Sequence, residues 1–295
     1  MKSFEYHAPK TLAEATELLA RHAGSCSVLA GGTDLLVQLR EGARTAAHVI
    51  DIKRIPGLDR LDADAKDGLV VGALVTTRTL ETSPYVRRHH ASLAEAVTHF
   101  ASIQVRHRAT LAGNACRASP SADTLPPLMA DGARIRIAGP GGKREVAAGA
   151  FCTGPGRNVL AAGEMVTSIV VPRPAPHTGQ SYIKHGRRIE MELATVGVAV
   201  TLTREADRCR ELRIVFAAVA PTPLRVQAAE MPLRDQVFNE AHLRETCEIA
   251  ADAVRPIADV RASAEYRREM VRVLTRRAIE QAWARAGTAG EEIDA

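Results

Sequence analysis

The sequence predicts an α+β protein in two parts, and three observations carry that reading. Short apolar runs alternate with amphipathic segments up to about residue 175. The stretch Pro172-Arg173-Pro174-Ala175-Pro176-His177-Thr178-Gly179 then breaks the pattern with three prolines in five residues. Beyond it, alternating strand patterns come first and helical patterns follow, as in an α+β domain. The implied division is an α/β part over 1–175, with subdomains of about 1–55 and 56–175, then a small C-terminal α+β part over 180–286 and a tail over 287–295.

In the first subdomain, Thr11 to His22 reads as a helix with Leu12, Ala15, Leu18 and Leu19 on one face. An apolar run, Ser27 to Ala30, passes through Gly31-Gly32-Thr33-Asp34 into a segment carrying Leu35, Leu36 and Leu39, which reads as strand, turn and helix. A further strand runs through His48-Val49-Ile50-Asp51-Ile52. The second subdomain opens on a strand pattern, Leu69-Val70-Val71-Gly72-Ala73. A helix candidate, Ala91 to Ala101, precedes a second glycine-bearing turn, Thr110-Leu111-Ala112-Gly113-Asn114. Pro126-Pro127 suit the first turn of a helix leading to Ala130. Arg134 to Ile137 alternates as a half-exposed strand before a glycine-proline turn at Gly139 to Gly142.

After the linker, Val196, Val198, Val200 and Leu202 alternate, as do Leu212, Ile214 and Phe216, which predicts an antiparallel pair joined near Asp207. Leu243, Cys247, Ala250, Ala251 and Val254 share one helix face; Tyr266, Met270, Val273, Leu274 and Ala278 share another.

Composition narrows the function. A chain of 295 residues suits about two domains, and 46% apolar with 25% charged residues describes a soluble protein. No run approaches the ~20 apolar residues that cross a bilayer, and Met1 to Tyr6 lacks the apolar core of a secretory signal. The expected location is cytoplasmic, with no membrane span. Five cysteines, widely spaced and without a C-x-x-C pair, argue against a disulfide framework and against a zinc or iron–sulfur site, and the sequence shows no other metal-ligand cluster. The charge is +5, and Arg267, Arg268, Arg272, Arg276, Arg277 and Arg285 crowd the last helix. Glu265, Glu269 and Glu280 interleave with them and aromatics make up only 3%, so a solvated face or an interface with an acidic subunit is expected rather than nucleic-acid binding.

The glycine turns carry the chemistry. Paired glycines let backbone N–H groups converge on a ligand, and Thr33 and Asp34 can cap the helix that follows. Such a turn suits a diphosphate. Taken singly, it is equally an ordinary turn between strand and helix. A G-x-G-x-x-G fingerprint is absent, and neither a Ser–His–Asp nor a Cys–His constellation is tied to a motif, so no catalytic residue is expected in the chain.

Five ordered motifs add to this: AGGTDL, RHRATLAGN, ASPSAD before LPPLMA, KHGRR, and APTPLR at Ala220 to Arg225. Over nearly its whole length the chain resembles the FAD-binding medium subunit of the molybdenum hydroxylases, the family of xanthine dehydrogenase, carbon monoxide dehydrogenase flavoprotein and 4-hydroxybenzoyl-CoA reductase. The coenzyme A reductase branch carries a cysteine-rich cluster insertion that is not visible here. The resemblance implies an FAD-binding domain of the vanillyl-alcohol-oxidase-like, PCMH type.

It also implies site residues. Leu29, Ala30, Gly31, Gly32, Thr33, Asp34 and Leu35 would wrap the FAD diphosphate, with Thr110, Gly113 and Asn114 in a second loop against the same group. Asp123 would accept hydrogen bonds from ribose or ribityl hydroxyls, or else cap the helix after it. Phe100 matches an aromatic near the adenine or flavin, with a core role as the alternative. Lys184 matches a cation near the N1/C2 edge of the ring, Leu193 a side chain on the isoalloxazine face, and Val166 an apolar contact; Glu192 stands where an aspartate is usual. Arg106 and His107 receive no role.

The implied partners are a large molybdopterin subunit that hydroxylates an organic substrate and a small subunit with 2Fe-2S clusters, in a dimer of heterotrimers. The chain would take electrons from those clusters and pass them to NAD+, a quinone or oxygen. The alternative is a self-sufficient flavin oxidase or dehydrogenase of related fold, which needs a larger substrate-capping domain than the residues after the linker provide. An adaptor whose loops bind nothing is the non-enzymatic rival.

Overall fold

The computed structural model describes residues 2–64 and 68–288, with the side chains of Asp64 and Thr288 excepted. Most of the expected tail, 289–295, lies outside the described residues.

The first domain begins with β1 (Glu5–His7), α1 (Leu12–Arg21), β2 (Cys26–Leu29), α2 (Leu35–Glu41) and β3 (His48–Asp51). Thr11 starts α1 by accepting the Glu14 N–H, while Ala15 and Leu19 bury the face that the spacing predicts. The three strands pair in parallel in the order β1-β3-β2. In such a sheet ligands gather beyond the carboxyl ends of the strands, where the β2–α2 turn stands.

Next come β4 (Leu61–Asp64), β5 (Gly68–Gly72), α3 (Thr77–Thr82), α4 (Pro84–His89), α5 (Ala91–Thr98), α6 (Ile103–Arg106), α7 (Leu111–Arg117) and α8 (Leu125–Ala130). β6 (Arg134–Gly139), β7 (Gly142–Ala147), α9 (Ala148–Phe151), β8 (Cys152–Gly154), β9 (Arg157–Asn158) and β10 (Met165–Val171) complete the domain. The second sheet runs β4-β5-β10-β6-β7 and its pairs are antiparallel. The helix expected to reach Ala101 stops at Thr98, because Ala101 turns left-handed (φ 50°) and Ser102 caps α6 instead. One apolar core, from Ala15 and Ile50 to Leu125, Ile135 and Ile169, joins both sheets.

The linker leads into β11 (Thr178–His185), β12 (Val196–Glu205), β13 (Arg208–Ala217), β14 (Leu224–Arg225), α10 (Gln227–Glu230), β15 (Gln236–Val237), α11 (Glu240–Ala253) and α12 (Ala264–Thr288). The sheet is antiparallel, β11-β12-β13-β14 with β15 beside β13, and α11 and α12 close its core. The arginine stripe of α12 is less solvated than its sequence suggests. Arg267 is buried, donating to the Thr195 and Ala218 carbonyls and to Asp259. Arg272 pairs with Glu248 and Glu269, Arg276 with Glu240 and Glu280, and Arg285 with Glu95 of the first domain.

The two domains meet along α5, α8 and β11–β13. Ala96, Ala130, Tyr182, Ala199 and Val215 form a small apolar contact there. Asp131 sits in it as a buried acceptor for Ser92 of the first domain and for Gln180 and Thr201 of the second.

Candidate cofactor site

β2 ends at Leu29 and the chain turns through Ala30 to Asp34 before α2. Gly32 takes φ +78°, a left-handed conformation that glycine adopts without a steric penalty, and its carbonyl accepts the Leu36 N–H at 3.0 Å. Gly31 is needed for a different reason. A Cβ there would stand 2.0 Å from the Arg108 carbonyl oxygen, so the first turn lies against the backbone that feeds the second. Thr110 caps α7, its hydroxyl accepting the Gly113 N–H at 3.0 Å, and Asn114 accepts the Thr124 hydroxyl at 2.7 Å. Contrary to the sequence expectation, Asp34 does not cap α2 with its side chain. It pairs with Arg117 at 2.9 Å and accepts from Gln38, fastening the start of α2 to the end of α7.

Among the described residues, the N–H groups of Gly31, Gly32, Thr33 and Asp34 donate to no protein acceptor. Four such donors within one turn beside a second capped turn suit a multiply charged anion, and two glycines leave room for it to approach. The residues fit a diphosphate.

Thr124, bonded to Asn114, leads to the next group. Asp123 does not cap α8; it is directed at the C-terminal domain, accepting the Tyr182 hydroxyl at 2.8 Å and the Lys184 ammonium at 2.9 Å. Burial pushes the Asp123 carboxyl above its usual range, while Lys184 and Tyr182 oppose the shift. Burial and the Asp123 charge hold the Tyr182 hydroxyl well above its ordinary value. Lys184 also donates to the His99 carbonyl at 3.1 Å. Three ammonium protons and two protein acceptors leave one proton for a further partner.

The segment after Lys184 folds back across the 99–102 turn. Met191, left-handed itself, donates its N–H to the Ala101 carbonyl, and Glu192 pairs with Arg188 at 3.1 Å. Leu193 follows with half of its surface exposed. Phe100 is half-buried, and its carbonyl accepts Arg106 at 3.0 Å.

The candidate residues therefore fall together unevenly. Leu29 to Leu35 and Thr110 to Asn114 adjoin, Asp123 and Lys184 touch, and Phe100 and Leu193 lie on segments tied to that pair through His99 and Ala101. Val166 stands apart, buried in β10 within the core of the first domain.

Sequence reasoning passes over two residues. Arg106 is buried and ion-paired with Glu81 at 2.9 Å, holding the Thr98 and Phe100 carbonyls. Tyr182 shares the Asp123 carboxylate. A signal for it exists, since residues two apart on a strand face the same way and Tyr182 precedes Lys184 by two. Nothing in the sequence marks Arg106 as internal. The last motif serves the C-terminal core: Arg225 grips the buried Glu230 with two bonds of 2.8 Å.

Comparison with known proteins shows the family. Residues 2–174 match the family described as the FAD binding domain in molybdopterin dehydrogenase, and residues 181–282 the CO dehydrogenase flavoprotein C-terminal domain. The chain is 34% identical to the putative xanthine dehydrogenase FAD-binding subunit XdhB of Escherichia coli, over 96% of this chain and 97% of that one. It is also 34% identical to the carbon monoxide dehydrogenase medium chain of Hydrogenophaga pseudoflava, over 96% and 98% of the two chains. A solved carbon monoxide dehydrogenase from that organism, lacking the Mo-pyranopterin moiety, superposes with a TM-score of 0.93 over 96% of this chain and 98% of its own. The chain belongs to the FAD-binding subunit family of the molybdenum hydroxylases, and is an oxidoreductase component of the xanthine and carbon monoxide dehydrogenase type.

Proposed function

We propose that the chain relays electrons within a heterotrimer. They arrive from 2Fe-2S clusters of a small partner, after a large molybdopterin partner has oxidised the organic substrate, and leave to NAD+, a quinone or oxygen. FAD, when bound, supplies the redox capacity, and the chain supplies the binding and the electrostatics. The unpartnered N–H groups of Gly31 to Asp34, next to Thr110, Gly113 and Asn114, would hold its diphosphate. Asp123 keeps acceptor capacity for a sugar hydroxyl, and the remaining Lys184 proton would face an electron-rich ring edge. Phe100, Leu193 and, from the core side, Val166 would supply apolar contact. An FAD-binding part over 1–175, a C-terminal part over 180–286, a dimer of heterotrimers and a cytoplasmic location belong to the same reading. Among the described residues, no helix is long and apolar enough to cross a membrane.

The close approach of the Gly31 turn to the Arg108 backbone carries the proposal, because it joins two donor-bearing turns into one site. The test is reconstitution of the complex with the chain as it stands and with Gly32→Val. We expect one flavin per chain in the first, reduced when substrate is added, and little flavin with stalled electron transfer in the second. An intact flavin complement with Gly32→Val would refute the site. Flavin that binds but is never reduced by substrate would refute the relay.

A further inference from the structure

Away from these turns, three histidines that are distant in sequence converge on one face of the parallel sheet. Glu5 pairs with His48 across β1 and β3, and alternation puts His7 on the same face as Glu5. α1 covers this side, and His22, at its C-terminal end, completes the group. The His22 and His48 rings stack with centroids 3.6 Å apart, and the His7 ring lies 5.4 and 5.3 Å from them. One ring nitrogen from each histidine can be chosen so that all three lie within 4.8 Å of one another. His7 Nε2 and His48 Nδ1 are 3.1 Å apart, and the Glu5 carboxylate is 3.4 Å from His48 Nδ1 and 3.8 Å from His7 Nε2.

We propose that His7, His22 and His48, with Glu5 as a fourth donor, form a site for a divalent transition-metal cation of the zinc class. Three imidazoles and a carboxylate are a donor set suited to Zn2+, and bonds of about 2.0–2.1 Å in a tetrahedron place ligand atoms roughly 3.3 Å apart. The nitrogen and oxygen separations around His48 are already near that edge. The hydrogen bond between His7 and His48 and the stacking of His22 on His48 hold the three rings together, and a cation would engage all three. The consequence is structural. A bound ion would cross-link the three-residue edge strand β1, the end of α1 and β3, in the sheet whose β2 leads into the glycine turn. This site is independent of the flavin reading.

The test is calorimetric titration of Zn2+ into the tag-free full-length chain, with metal counted after dialysis. The unaltered chain is compared with Glu5→Gln and with the three single variants His7→Gln, His22→Gln and His48→Gln. We expect one zinc per chain, at least tenfold weaker binding in His22→Gln, and a zinc-dependent rise in Tm that the variants lose. His22 follows the last residue of α1 rather than sitting in a strand, so His22→Gln keeps the test decisive if His7→Gln or His48→Gln fails to fold. No uptake by the unaltered chain, or equal uptake and equal Tm gain in His22→Gln, would overturn the proposal.

Discussion

Lys184 and Asp123 form an ion pair 2.9 Å long across the two domains, with side chains only 5% and 7% exposed. Each keeps further hydrogen bonds, to His99 and to Tyr182, so neither charge is stranded. The pair places a cation from β11 and a carboxylate from the turn before α8 beside the second glycine turn.

Removing one partner should therefore cost more than losing a surface contact. Lys184→Met is expected to destabilise the chain by about 3–5 kcal/mol, the usual consequence of leaving a buried charge alone. The Asp123 carboxyl should then titrate at higher pH, since the cation that opposes its burial is gone. Denaturant unfolding followed across pH checks both. Equal stability of Lys184→Met and the unaltered chain at every pH would show that the pair holds nothing together.

Gly31→Ala tests how closely the two turns approach. The new Cβ meets the Arg108 carbonyl, so the backbones must part. Overpacking of this kind commonly costs about 1–3 kcal/mol. Flavin content per chain should fall well before the fold is lost, which absorbance and circular dichroism can separate.

Acid stability should depend on His90. Among the described residues, neither of its buried ring nitrogens has a hydrogen-bond partner, and burial lowers its pKa from 6.5 to about 4. The unfolded chain binds this proton first as the pH falls, so stability is full above pH 6.5 and declines toward pH 4, by up to about 3 kcal/mol. Asp131 acts in the opposite sense. Burial pushes it up to about 6, so the folded chain binds the proton first, and the contribution fades as pH rises from 3.8 toward 6. Its three donors favour the ionised form and make this opposing slope the smaller one. His90→Leu should flatten the acid limb, and Asp131→Asn should steepen it. Melting temperatures across pH 4 to 7 measure both slopes.

Glu230→Gln addresses the C-terminal core alone. Its carboxylate is wholly buried and serves Arg225, Arg234 and the Ile214 N–H. Neutralising it removes the buried charge that both arginines share, leaving Arg234 only the longer contact with Glu211 at 4.0 Å, and should lower stability by about 3 kcal/mol. Flavin content below the melting transition should stay unchanged, because none of these groups touches the glycine turns.

The sequence alone determined the local elements. Thr11 with Leu12, Ala15 and Leu19 specifies a capped amphipathic helix, the alternation from Val196 to Leu202 a strand, and Gly31-Gly32 a turn open to an anion. These depend on neighbours a few positions away, so periodicity and capping chemistry reveal them. The ordered motifs made the family and its cofactor legible for the same reason. Tertiary structure alone decided which distant groups meet. Arg106 has no role in the sequence until Glu81 and two carbonyls surround it, and Asp123 stays open between a cofactor contact and a helix cap until β11 brings Lys184 and Tyr182. His7, His22 and His48 have no recognisable spacing, because strand pairing and the docking of α1, rather than any local repeat, set the distances between their rings.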